Sequence, residues 1–362
     1  MTASYREAQA SLRRTPRRWL VTGVAGFIGS HLLETLLQLG QHVVGIDNFA
    51  TGFQKNLADV AARVGPDAYS RFQLAAGDIR DMSVCREALA GVELVLHEAA
   101  LGSVPRSMVD PLSSHAANVD GFVNVMLAAR EAGVRRVVFA SSSSVYGDDP
   151  SSPKQEGRRG RLLSPYAATK LIDEIYADTF SRSHGLDSVG LRYFNVFGPR
   201  QDPEGAYAAV IPRWIGQLIA GDDCAVFGDG SASRDFCFVD NVVQANLLAA
   251  LAPAEQVAEQ VFNVACGEST SLVDLFAMIR LLIGQAQPHA AGATLLRQAP
   301  RPGDIQHSLA DIERAKSRLG YEPSFDVARG MEQTVRWYLE QAGVTARSAA
   351  TQATVEPTRE AS

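Results

Sequence analysis

The sequence predicts an α/β fold, a doubly wound parallel sheet with a smaller C-terminal lobe. Three observations carry that prediction. Short apolar runs alternate with helical periodicity through the first half of the chain, a glycine-rich turn follows the first run directly, and the pattern loosens after Asn195. Strands separated by helices at this spacing run parallel, and a parallel sheet needs both faces covered.

Residues 19–22 form an apolar run that stops at Gly23, a strand and its turn. Ile28, Leu32, Leu33, Leu36 and Leu37 then recur at helical spacing until Gly40 closes the segment. HVVGID at 42–47 is the next strand; FQLAAGDI at 72–79, LVLHEAA at 94–100, RRVVFASS at 135–142 and DSVGLRY at 187–193 follow. Helices at 118–131 and 167–183 separate the later strands. Further on, 207–218 and 272–283 read as helices, AVFGDG and VFNVA as short strands, and SRDFCFVDNV as a return to the main domain. Arg6, Arg13, Arg14, Arg17 and Arg18 mark the N-terminus as a flexible arm or an amphipathic helix packed back on the body. The boundaries adopted are a flexible basic arm at 1–18, a nucleotide-binding domain at 19–195 with returns from about 234–266, an interleaved substrate-binding lobe at 196–342, and a disordered tail at 343–362.

Composition narrows the function classes. A chain of 362 residues, 46% hydrophobic, can bury a large core. A formal charge of -6 argues against a nucleic-acid partner while leaving anionic small molecules open. Cys85, Cys224, Cys237 and Cys266 form no CxxC pair and read as free thiols of a reducing, cytoplasmic compartment. The histidines lack metal-ligand spacing, so no metal is expected. No apolar run approaches the roughly 20 residues that span a bilayer, so no membrane partner is expected.

GVAGFIG begins where the first strand ends. Gly23 allows the tight turn, Gly26 lets backbone approach a pyrophosphate, and Gly29 lets the helix pack close to the sheet. Phe27 and Ile28 open that helix, whose N-terminal N–H groups face the phosphates. Asp47 ends the second strand and is placed to bind the adenosine ribose hydroxyls. Asn48 and Phe49 follow it, with no arginine to accept a 2′-phosphate, so the cofactor expected is NAD rather than NADP. Asp78 and Ile79 either flank the adenine or, for Asp78, face solvent.

SPYAATK places Tyr166 and Lys170 one helical turn apart, so phenol and ammonium serve one small volume. Lys170 can hold the nicotinamide ribose and supply positive charge that favours the phenolate. Upstream, the serines at 141–144 either satisfy their own strand end or present hydroxyls to a substrate. Arg234 and Arg301 are candidates for a diphosphate, because a guanidinium fork matches phosphate oxygens. Asn195 either orients substrate or caps a loop.

GVAGFIG, Asp47, the HEAA at 97–100, SSSSVYG, SPYAATK and LRYFNVFGPRQ at 191–201 together resemble the extended short-chain dehydrogenase/reductase superfamily, from about Trp19 to Tyr338. Within it the chain is similar to UDP-sugar 4-epimerases, above all the WbpP-type group acting on UDP-N-acetylglucosamine and its uronic acid. The resemblance implies a Rossmann domain of about seven strands, tightly bound NAD, and a homodimer paired through a helical bundle. It makes Tyr166 and Lys170 the catalytic pair, with Ser142 and Ser143 touching the sugar. Asn195, Arg234 and Arg301 would hold the diphosphate, and Asn118 would support the active-site helix. The resemblance also implies Asn48, Ala99, Ala100, Asn118 and Tyr193 in the cofactor set and Gly102, Ser103, Ala209, Val210, Asp304 and Ser308 in the substrate set. The implied reaction is reversible C4 epimerisation of UDP-N-acetylglucosamine and UDP-N-acetylgalactosamine through a 4-keto sugar and transient NADH.

Two departures refine the expected substrate. Related dehydratases and decarboxylases carry acids where this chain has Ser143 and Ser144, so elimination has no evident carboxylate. Ser308 stands where the corresponding position of UDP-galactose epimerases can hold a tyrosine, and Gly102 where others have lysine; both make room for an N-acetyl group. A UDP-hexuronic acid 4-epimerase, a decarboxylase, and a non-catalytic NAD-binding protein are the competing readings.

Overall fold

The structure is a computed structural model and describes residues 3–204, 208–257, 260–299 and 306–344. Six strands precede Asn195: β1 (Arg18–Thr22), β2 (His42–Asp47), β3 (Phe72–Ala76), β4 (Leu94–His97), β5 (Arg136–Ser142) and β6 (Ser188–Tyr193). The second half adds β7 (Val196–Phe197), β8 (Cys224–Phe227), β9 (Ser233–Arg234), β10 (Cys237–Phe238), β11 (Gln260–Val264), β12 (Thr270–Ser271), β13 (Leu295–Gln298) and β14 (His307–Ser308).

One seven-stranded sheet runs β11-β6-β5-β4-β1-β2-β3, and every pairing in it is parallel. This is the doubly wound Rossmann arrangement. The chain winds one way from β1 to β3 and the other way from β4 onward, so the strand order reverses between β1 and β4. A crevice opens at that switch point, beyond the strands' C-terminal ends.

The strands read as continuous apolar runs because successive side chains enter two different cores. Trp19, Val21, Leu94, Leu96 and Val138 pack with Leu32, Leu33, Leu36 and Leu37 of the helix Phe27–Gln38 and with the helix Val239–Leu251. Their neighbours Leu20, Val95, Val137 and Phe139 face Phe122, Val125 and Met126 of the helix Gly121–Glu131 and Phe180 of the helix Pro165–His184. Each such fully buried side chain contributes about 1.5–3 kcal/mol. A third core, around Trp214, Ile215, Phe276, Ile279 and Met331, belongs to the smaller lobe. There β8 pairs with β13, and β9 lies between β12 and β14.

Two predicted strands end early. β3 stops at Ala76 rather than 79 because its partner β2 ends at Asp47, opposite Ala76. β4 stops at His97 rather than 100, opposite Thr22, where β1 gives way to the glycine loop. The helix expected at 118–131 starts at Gly121, after a π-turn at Ala116–Asp120. The helix expected from 207 starts at Val210, and Tyr207 lies outside the described residues.

The N-terminus takes the second of its two expected forms, a helix packed on the body, and not the flexible arm of the adopted boundaries. Ala3–Arg14 is a helix with Tyr5 and Leu12 buried, packed against the helix Val239–Leu251. Gln41, fully buried, fastens it: Nε2 donates to the carbonyls of Leu12 and Leu39 at 2.9 and 2.8 Å. Its Oε1 accepts from Trp19 Nε1 at 3.2 Å and the Arg17 N–H at 3.0 Å. One amide thus fills its bonding capacity on the segment that enters β1. Of the expected tail, residues from 345 onward lie outside the described set.

Candidate active site

The crevice at the switch point is a cleft of about 550 Å³, within the usual range for a cofactor site. Its floor is the glycine loop. Gly23 has φ +66°, and a Cβ there would lie 2.9 Å from Ala99 Cα. A Cβ on Gly29 would fall 2.1 Å from the Gly23 carbonyl oxygen. Loop, helix and the end of β4 therefore touch backbone to backbone. Gly26 caps the helix Phe27–Gln38 without any side-chain bond, which leaves first-turn N–H groups open to the cleft.

Asp47 joins β2 to that loop. Its Oδ2 accepts the Ala25 N–H and its Oδ1 the Phe49 N–H, each at 2.8 Å, while the carboxylate still borders the cleft. Asn48 donates to Asp78 Oδ2 at 2.7 Å. Arg80 grips Asp78 with Nε at 3.0 Å and a terminal nitrogen at 2.7 Å, and this fork holds the Asp78 carboxyl well below its ordinary range. Asp78 therefore stands in an ion pair, with Ile79 beside it on the cleft wall. Phe27, Ile28, Ala99, Ala100, Gly102, Ser103 and Ala209 also line the cleft.

Asn118 and Tyr193 support the wall without lining it. The buried Asn118 accepts the Leu101 N–H at 2.7 Å and donates to Thr169 Oγ1 at 3.0 Å. Tyr193 donates its hydroxyl to Glu98 Oε1 at 2.8 Å and accepts from Asn246 at 2.8 Å. Glu98 itself lines the cleft, and burial pushes its carboxyl up to about 8 against the opposing effects of Tyr193 and Lys170. Sequence reasoning passed over Glu98 as a site residue, although an acid in an otherwise apolar strand end was a visible signal. Beside it, burial and the Lys170 charge push His97 down to about 3, and the neutral ring meets Thr22 Oγ1 at 2.9 Å.

Tyr166 and Lys170 share the first turns of the helix Pro165–His184. Ser164 starts that helix by accepting the Ala167 N–H at 3.1 Å, and Pro165 fits its first turn, where no N–H is needed. Ser107, missed from the sequence, accepts the Tyr166 N–H at 3.0 Å. Lys170 Nζ donates to the Ala140 carbonyl of β5 at 3.0 Å and to Asp173 Oδ2 at 3.1 Å. Those bonds leave one of its three donors for a ligand. Two residues past Ala140, Ser142 ends β5, and its Oγ accepts the Ser144 N–H at 3.1 Å. Ser142 and Ser143 are both half-buried. The serine run therefore satisfies its own strand end, one of the two roles the sequence allowed.

A second cavity of about 240 Å³ lies in the smaller lobe, lined among others by Asn195, Val210, Trp214, Phe227, Arg234 and Gln306. Ala208 borders both cavities, so they adjoin at the start of the helix Val210–Ala220. Asn195 donates to the Asp235 carbonyl at 3.1 Å, which fixes a loop and keeps the residue on the cavity wall. Ser308 is buried, and β14 sets it opposite Arg234 of β9. Arg301 and Asp304 lie outside the described residues.

An uncapped helix N-terminus, a glycine cradle and a carboxylate at the end of β2 fit a dinucleotide. The decisive comparison agrees: residues 19–265 match the NAD dependent epimerase/dehydratase family. The chain belongs to that family. NAD is its cofactor, and the arrangement of the glycine loop and Asp47 fits it.

Relatives in this family include the UDP-glucose 4-epimerase of Mycolicibacterium smegmatis, 38% identical over 89% of this chain and 98% of that protein. UDP-glucuronate 4-epimerase 4 of Arabidopsis thaliana is 33% identical over 88% of this chain and 75% of its own length. Among solved structures, a UDP-N-acetylglucosamine 4-epimerase from Methanobrevibacter ruminantium, in complex with UDP-N-acetylmuramic acid, superposes with a TM-score of 0.81. It is 36% identical and covers 90% of this chain and 99% of its own. Among the described residues, no group of His, Cys, Asp and Glu could hold a metal ion, and no helix is long and apolar enough to cross a membrane.

Proposed function

We propose that this member of the epimerase family interconverts UDP-N-acetylglucosamine and UDP-N-acetylgalactosamine by inverting C4, as the WbpP-type group does. The family and the relatives support NAD-dependent C4 epimerisation of a UDP-sugar; the choice of sugar is the proposal. The observation that carries it is Ser308, a small buried side chain in register with Arg234, which lines the smaller cavity.

The residues divide the work. Tyr166 takes the proton from the sugar 4-hydroxyl, and Lys170 supplies positive charge from the next turn of the same helix. Ser142 and Ser143 hold the oxygen as charge develops on it. The glycine loop and Asp47 would hold NAD, which would supply a reversible hydride acceptor for C4. Asn195 and Arg234 retain the diphosphate while the sugar turns its other face to the cleft. Serine at 143 and 144 leaves elimination without a carboxylate there, whereas epimerisation requires none.

The test is Ser308→Tyr. It should lower kcat/KM for the N-acetylated pair at least about tenfold more than for UDP-galactose, since overfilling a packed pocket costs about 1–3 kcal/mol. Equal losses would remove the pocket argument. The similarity to UDP-glucuronate 4-epimerases favours a second reading, a UDP-hexuronic acid substrate.

A homodimer is part of the proposal. Met108, Val109 and Leu112, at 62, 77 and 81% exposure, lie on the helices Val104–Val109 and Pro111–His115. These pack beside the helix Pro165–His184, which exposes Ile175 at 54%. A helical bundle with a second copy would cover that apolar surface. Light scattering that gives the mass of one chain would contradict it.

A further inference from the structure

The Lys170 ammonium is 2% exposed, and among the described residues the only carboxylate bonded to it is Asp173, at 3.1 Å and itself 0% exposed. Asp173 is three residues further along the same helix, so the contact is built into the helix and does not depend on a loop. Its Oδ1 is buried without a hydrogen-bond partner, so this carboxylate is committed to Lys170 alone. The adjacent acid, Glu174, is engaged elsewhere, taking bonds from Arg192 Nε at 2.9 Å and Ser141 Oγ at 2.6 Å.

We infer that Asp173 is a positioning residue of the active site, which keeps Lys170 protonated in a buried place and fixes its ammonium beside the Ala140 carbonyl. This deepens the functional reading above, since it concerns the charge that serves Tyr166. Burial alone would drive a lysine toward its neutral form. Burial is the largest single influence and acts that way here, but Asp173, Tyr166 and Glu98 together outweigh it and hold Lys170 above its ordinary value. The cost appears on the partner: burial raises the Asp173 carboxyl to about 7 despite the ammonium beside it. The other groups acting on the pair are Glu98 and His97 from the end of β4, and Glu174 beside Asp173. Removing Asp173 therefore leaves burial as the main influence on Lys170, and its proton should leave at lower pH.

The chain contains four lysines, Lys55, Lys154, Lys170 and Lys316, so a lysine-specific readout is simple. Protein labelled with 13Cε-lysine is titrated by NMR, with Lys170 assigned by its absence from Lys170→Arg. Asp173→Asn, which keeps volume and an acceptor oxygen, should lower the Lys170 midpoint by at least about one pH unit, a tenfold change in its protonation ratio. The alkaline limb of kcat should move down with it, with a smaller change in KM. Asp173→Ser removes the same charge without burying an amide and must shift the midpoint the same way if the asparagine variant does not fold. An unmoved midpoint in whichever of these folds overturns the inference. Because the titration needs no substrate, a shifted midpoint in an enzyme inactive on UDP-sugars would count against the functional reading alone.

Discussion

The Ala25 N–H donates to Asp47 Oδ2 at 2.8 Å, so the glycine loop and the end of β2 are one unit. The carboxylate expected to hold the ribose also holds the loop expected to hold the pyrophosphate. Asp47→Asn replaces one acceptor oxygen by a donor facing an N–H. A hydrogen bond to a charged group contributes about 1.5–3 kcal/mol, so NAD affinity should fall at least about tenfold. Calorimetric titration with NAD checks this, and an unchanged Kd would show that Asp47 serves the loop alone.

Gly29 and Gly102 make a paired test of close approach. A methyl group at Gly29 meets the Gly23 carbonyl oxygen at 2.1 Å and the Val24 Cα at 3.0 Å, both backbone, whereas nothing lies within 4 Å of one at Gly102. Gly29→Ala should cost about 3 kcal/mol or more and abolish NAD retention. Gly102→Ala should unfold within about 0.5 kcal/mol of the wild type. Urea denaturation of both variants decides the matter; similar midpoints would contradict the contact.

Asp235 governs a pH dependence. It is fully buried, its carboxylate accepts N–H bonds from Cys266, Gly267 and Ala310, and burial pushes it up to about 7 despite them. Unfolded, it titrates near 4, so between about pH 4 and 7 the folded state holds the extra proton. Its contribution to stability therefore falls as pH rises through that window and levels off above it. Asp235→Asn should be less stable than wild type at pH 5, through a mismatched amide. That gap should narrow by about 2 kcal/mol by pH 7. Taking the difference between the two proteins removes the opposite contribution of His31 and His97, both pushed down to about 3 by burial. A gap that widened with pH would refute the assignment.

The main sheet was legible because a strand buried on both faces carries a continuous apolar run, as in Val43 to Ile46 of β2 and Leu94 to Leu96 of β4. The nucleotide half of the site was legible for a related reason: the glycines, Asp47 and Asp78 sit at strand ends, and the sheet brings those ends together. Strand lengths were less legible. β3 and β4 stop where their partners stop, and register is a property of two segments rather than one. The N-terminal helix depended on Gln41, which bonds to Leu12 and Arg17 and has no local signature. Asp173 was hidden in the same way. At three residues past Lys170 it resembles a surface acid of an amphipathic helix, and only the burial of both side chains marks it as a partner.

Tyr166→Phe should lower kcat by about 10²–10⁴ while NAD stays bound, because it removes a general base without disturbing the glycine loop. Turnover by the purified variant, together with NAD released on denaturation, measures both. Wild-type turnover would assign the base elsewhere, and loss of NAD would give Tyr166 a structural part in the cofactor site.

The central claim is inversion at C4 of an N-acetylated UDP-hexosamine. Incubating the purified protein separately with UDP-N-acetylglucosamine, UDP-glucose and UDP-glucuronate, and reading the C4 configuration by proton NMR, tests it most directly. The account predicts UDP-N-acetylgalactosamine as the major product with the highest kcat/KM, and no net accumulation of reduced cofactor. Epimerisation of UDP-glucuronate alone, or release of carbon dioxide from it, would contradict the account.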